Sequence, residues 1–106
     1  MTEYQVYRFT IANVKLDTVA RLFATAQRPA TLSEGVGVSG WGIEPTITIE
    51  SAVEPGVDTE CDLFDLVCGL LADHDETCAY FTRNGGSPRL LYAGGRVETI
   101  NGNEQK

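Results

Sequence analysis

Between Pro29 and Thr82 the sequence contains no lysine and no arginine. The same stretch holds eleven acids: Glu34, Glu44, Glu50, Glu54, Asp58, Glu60, Asp62, Asp65, Asp73, Asp75 and Glu76. The flanks, 1–28 and 83–106, each carry a small positive excess, so the net charge of −7 arises in the middle of the chain. Affinity for nucleic acid rests mainly on basic side chains meeting phosphates. The expectation is therefore no direct nucleic-acid binding.

Other scarcities narrow the field further. No apolar run approaches the roughly 18–20 residues that span a bilayer. The first residues, Met1-Thr2-Glu3-Tyr4-Gln5-Val6-Tyr7-Arg8, lack both a basic n-region and an apolar h-region, which predicts a cytoplasmic protein. Cysteine is limited to Cys61, Cys68 and Cys78, an odd count without repeating spacing. Cys61 and Cys68 fall seven residues apart on one predicted helix, about 10 Å along its axis and too far for a disulfide. Reduced thiols are expected.

What is present suffices for one core: 106 residues, 42% of them hydrophobic. Residues 1–100 are expected to form a single domain, with 101–106 as a polar tail. Tyr7, Phe9 and Ile11 alternate with Val6, Arg8 and Thr10, the mark of a half-buried strand. Leu16, Val19, Ala20, Phe23 and Ala26 recur at helical spacing, with Asn13 or Asp17 as a candidate N-cap and Pro29 as the stop. Ile43, Ile47, Ile49 and Val53 then share one side of a strand, opposite Glu44, Thr46, Thr48 and Glu50. A second helix is predicted from about Thr59 to Asp73, with Thr59 and Asp62 at capping-box spacing and Leu63, Leu66, Val67, Leu70 and Leu71 turned inward. The remainder reads as a meander of Cys78–Arg83, Arg89–Ala93 and Arg96–Ile100. The order predicts an α+β fold: a mostly antiparallel sheet with two helices on one face, ferredoxin-like and extended by a hairpin.

Gly35-Val36-Gly37-Val38-Ser39-Gly40 matches G-x-G-x-x-G, but Pro45 leads on into a strand instead of a helix. A phosphate site needs the helix N-terminus that is missing here. A flexible loop or a bulged strand is the better reading, and no cofactor is expected. The only histidine, His74, sits in Asp73-His74-Asp75-Glu76 with Cys78 four residues on. Consecutive residues fan around a helix end, so they do not assemble the four ligands that zinc requires. His74 is expected as a partly buried, hydrogen-bonded side chain at the sheet junction. With one histidine and no nucleophile elbow, no catalytic residues are assigned.

On the second helix Asp58, Asp62, Asp65 and Glu76 gather opposite the apolar face, with Asp73 on the flank. Asp73, Asp75 and Glu76 stand at the C-terminal end, where negative charge opposes the helix dipole. No basic residue lies three or four positions from any of them. Trp41, between Gly40 and Gly42, is either a core anchor or a binding hot spot.

The stretch from Ser39 through Gly40-Trp41-Gly42 to Glu50, followed by a helix and a Tyr80-Phe81-Thr82 strand, resembles small phage-encoded proteins of unknown function. The resemblance implies a context in which small acidic proteins bind a host protein, as anti-CRISPR proteins and DNA mimics do. It supplies no site residues.

The leading expectation is a non-catalytic binding protein, monomer or homodimer. Its acidic surface, Asp58, Asp62, Asp65, Asp73, Asp75 and Glu76 together with Trp41, meets a basic, nucleic-acid-binding surface of a larger protein. Two alternatives stand beside it. One is a small ligand-binding protein or enzyme using the Gly35–Gly42 loop and His74, and the other is a structural protein that self-associates through a strand edge of the meander.

Overall fold

The computed structural model describes residues 4–39, 42–54 and 57–99, leaving aside the side chains of 38–39 and 57–60. Its elements run β1 (Gln5–Ala12), α1 (Leu16–Thr25), β2 (Thr31–Ser39), β3 (Gly42–Val53), α2 (Val57–Asp73), β4 (Cys78–Arg83), β5 (Arg89–Tyr92) and β6 (Val97–Thr99). The six strands make one sheet in the order β2-β3-β1-β4-β5-β6. Every neighbouring pair is antiparallel. The chain is thus α+β, as expected. α1 carries it from β1 over β3 to the outer strand β2, and α2 carries it from β3 over β1 to β4.

Strand alternation decides which face is covered. Phe9 stands opposite Ile49 on one side and Phe81 on the other, and Ile11 stands opposite Ile47. These side chains are buried with Val19 and Phe23 of α1 and Leu63, Val67, Leu70 and Leu71 of α2, so both helices lie on the same side of the sheet. Each such burial is worth about 1.5–3 kcal/mol. Phe64 extends the core with its ring at steep angles to Tyr7, Phe9 and Phe81, at centroid distances of 5.5, 5.9 and 5.3 Å. The molecule measures 42 × 38 × 23 Å. The short dimension accommodates one sheet and one helix layer about 10 Å apart, which leaves the other face of the sheet uncovered.

Several local expectations are corrected. α1 begins at Leu16 after Lys15, with no side-chain cap, so neither Asn13 nor Asp17 serves as the N-cap. Asn13 instead takes a left-handed φ of 61° in the turn before the helix. The stop lies before Pro29: Gln27 adopts φ 56°, its N–H meets the Ala24 carbonyl, and the Arg28 N–H meets Phe23. This is a Schellman closure. α2 ends the same way, with Asp75 at φ 56° and the Glu76 N–H on the Leu71 carbonyl at 2.8 Å. α2 also starts at Val57, two residues before the expected boundary. Thr59 is therefore inside the first turn, and the Thr59–Asp62 capping box does not mark the helix start.

The glycine-rich segment is not a loop. Thr31–Ser39 is a full edge strand, paired with β3 from Thr31↔Glu50 to Ser39↔Gly42. Glycine is used there for close approach: a Cβ at Gly37 would lie 3.1 Å from the Thr46 methyl, and one at Gly35 3.3 Å from the Thr46 hydroxyl oxygen. The segment leading into β2 is tied down by buried Ser51, whose hydroxyl donates to the Pro29 carbonyl at 3.0 Å.

Candidate functional site

The outward surface of α2 follows from its period. With Leu63, Val67 and Leu70 buried, positions 62, 65, 69, 72 and 73 fall within a single stripe facing solvent, and all five are exposed. That stripe presents Asp62, Asp65 and Asp73, with Gly69 and Ala72 between them. It runs about 16 Å along the helix at 1.5 Å per residue. Nothing fills the space where a Gly69 side chain would stand. Asp75 is exposed at the helix end, and Glu76 is half-buried beside it. The structure thus brings Asp62, Asp65 and Asp73 together on one surface and leaves Asp75 and Glu76 around the corner. Trp41 and the side chain of Asp58 lie outside the described residues.

Sequence reasoning missed the neighbour of this stripe. The end of α1 packs beside the first half of α2, and Arg28 reaches to 3.8 Å from the Asp62 carboxylate. Ala26, Arg28, Asp62, Asp65 and Leu66 line a cleft of about 300 Å³ between the helices. Its lining thus combines two carboxylates with the apolar side chains of Leu66 and Ala26. The i±3 and i±4 spacing rule sees only one helix at a time, so a cation from the turn that closes α1 left no trace in it.

His74 caps α2 from within, its Nδ1 lying 2.9 Å from the Leu70 carbonyl oxygen. Gly35 and Gly37 belong to β2 and face Thr46. Within the Gly35–Gly42 segment of the ligand-binding alternative, residues 40 and 41 lie outside the described residues. Among the described residues no three His, Cys, Asp or Glu side chains gather as metal ligands do. No described helix is long and apolar enough to cross a membrane.

The cysteines are unpaired and differ in setting. Cys61 is exposed, whereas Cys68 and Cys78 are half-buried. The Cys68 thiol donates to the Tyr92 carbonyl at 3.4 Å, and burial, followed by the nearby Asp65 charge, raises it above its ordinary value. Cys78 is raised by burial and then by Glu76 and Glu98. The Tyr92 hydroxyl donates to Glu98 at 3.0 Å, a bond that pushes the pKa of the phenol up.

The uncovered sheet face is polar. Arg8 pairs with Glu50 at 2.7 Å between neighbouring strands. Around them Thr10, Thr31, Ser33 and Thr48 form a cleft of about 470 Å³. Its only cation is already engaged.

The fold and this surface define a class, a small α+β protein with an acidic two-helix layer. No protein-family model, curated protein or solved structure matches the chain.

Proposed function

We propose that this is a non-catalytic binding protein whose acidic α2 surface docks on a basic surface of a larger protein. The observation that carries this reading is the cleft between α1 and α2. A lysine or arginine from a partner has an apolar stem and a cationic head. The cleft offers Leu66 and Ala26 to the stem, and Asp62 and Asp65 to the head. Arg28 stands at a long 3.8 Å from the Asp62 carboxylate alone, and an incoming cation competes with it there. Asp73 extends the negative surface beyond the cleft, with Gly69 and Ala72 keeping the intervening ground low. In its narrower form, drawn from the resemblance to small phage proteins, the partner is a host nucleic-acid-binding protein whose basic surface α2 occupies in place of DNA.

The test compares two charge-matched triple variants against an immobilised arginine-rich peptide at low and high salt. One is Asp62→Asn, Asp65→Asn and Asp73→Asn. The other removes three charges elsewhere, by Asp17→Asn, Glu34→Gln and Glu44→Gln. Docking through α2 predicts that the first variant loses most of its affinity and its salt response, while the second retains them. Equal losses in both variants would leave only non-specific attraction between an acidic protein and a cation, and the reading would be abandoned.

A further inference from the structure

We propose that the cleft beside the β4–β5 hairpin binds a small aromatic carboxylate. Strand register builds it. Arg83 stands opposite Tyr7, and Arg89 opposite Phe81, so both guanidinium-bearing residues emerge on the helix side of the sheet next to these rings. Together with Phe64 and Val97 they line a partly enclosed space of about 230 Å³. This is a different surface from the acidic cleft and does not depend on it.

Three observations fix the ligand class. First, Arg8, Arg28 and Arg96 each have a carboxylate partner, whereas no ion pair or hydrogen bond engages the side chains of Arg83 or Arg89 among the described residues. Two adjacent cations left unpaired in a chain of net charge −7 make a local site for an anion. Guanidinium forks match carboxylate geometry bidentately. Second, the floor is aromatic: Tyr7 and Phe81 are buried, and the half-exposed Phe64 meets both at an angle. A flat ring placed there finds edge-to-face partners. Third, the volume suffices: a dry cavity of about 150 Å³ accepts benzene, so a cleft of about 230 Å³ has room for one ring with a carboxylate. The overall negative charge disfavours an extended polyanion at the same place.

The probes are benzoate, benzyl alcohol (the ring without the charge) and acetate (the charge without the ring). Each is titrated into the full-length protein and followed by two-dimensional NMR. Benzoate is expected to bind saturably, with shifts centred on Tyr7, Phe64, Phe81, Arg83, Arg89 and Val97. Benzyl alcohol and acetate are each expected to bind at least about tenfold more weakly. Arg83→Gln and Arg89→Gln sit at exposed positions and should leave the fold intact. Each should weaken benzoate about tenfold, and the double variant should abolish binding. The proposal is overturned if benzoate gives no saturable shifts up to its solubility limit, if acetate binds as well as benzoate, or if the double variant binds benzoate unchanged.

Discussion

Arg28 ends one helix and Asp62 begins the exposed stripe of the other, and their charged atoms stand 3.8 Å apart. The arginine side chain is only 16% exposed, while the aspartate is 70% exposed. A pair that long, with its carboxylate open to solvent, contributes little, at most about 1 kcal/mol. Arg28→Gln should therefore change stability by less than about 1 kcal/mol in chemical denaturation. Under the proposed function the same variant should bind a basic peptide more tightly, because a competing internal cation has gone. Weaker binding would mean that Arg28 contributes to the docking surface.

The buried face of α2 and the face proposed to dock lie on opposite sides of the helix, and substitutions should separate their effects. Leu63 and Leu70 are fully buried. Leu63→Ala or Leu70→Ala should cost about 2–5 kcal/mol by urea titration. The Asp62, Asp65 and Asp73 to Asn triple variant should stay within about 1 kcal/mol of wild type, since exposed positions seldom matter more. A large loss in the triple variant would show that the carboxylates hold the fold.

The approach of Gly37 to Thr46 can be measured as a coupling. A Cβ at Gly37 would lie 3.1 Å from the Thr46 methyl. Gly37→Ala should cost about 1 kcal/mol in the wild-type chain through crowding. With Thr46→Ser the methyl is gone. The same substitution should then be neutral or stabilising by about 0.4–1 kcal/mol, because alanine restricts the unfolded chain. Additive effects in this double-mutant cycle would show that the contact is not tight.

Alkali should loosen the fold through two thiols. Burial first, and then Asp65, raises Cys68 above its ordinary value of 9.0. Burial first, and then Glu76 and Glu98, raises Cys78 from the same value. In each case the unfolded chain loses the proton before the folded one does. The associated stability is therefore complete below about pH 9 and is lost as pH rises through the folded values. Tyr92, raised from 10.0 chiefly by its bond to Glu98, adds in the same direction at higher pH. Thermal midpoints should fall from about pH 9 upward, and less steeply in a Cys68→Ala, Cys78→Ala variant. An identical slope in that variant would assign the decline to other groups.

The sequence was most legible where one period ran unbroken. The alternations around Phe9 and around Ile49, and the helical spacing of Leu63, Val67 and Leu70, placed the core correctly. The edge strand β2 stayed open between a loop and a bulged strand because Gly35 and Gly37 give no side-chain alternation, and because Glu34 stands on the otherwise apolar side. Helix starts were misread for another reason. Side chains with capping chemistry were present near both, but Lys15 precedes the first helix and Val57 begins the second. Of the candidate sites, the α2 stripe was readable from a single helix. The Arg28 neighbour depends on how two helices lie together, which no local pattern encodes. Arg83 and Arg89 were within reach, since the Asn84–Pro88 turn joins the strands whose register sets them side by side.

β2 is a nine-residue strand paired on one side only, with neither proline nor lysine and with Glu34 as its sole charge. Such an edge invites a strand from another copy, and natural proteins usually blunt it with local charge or a bulge. Here the deterrent is global: at neutral pH each molecule carries −7 and repels its neighbours. The acids therefore act as a colloidal barrier whether or not any partner reads them. Near the isoelectric point of about 4.5 that barrier vanishes while the open edge remains. Any redesign that neutralises α2 also moves the protein toward strand-edge association, because the proposed docking surface and the colloidal barrier draw on the same carboxylates.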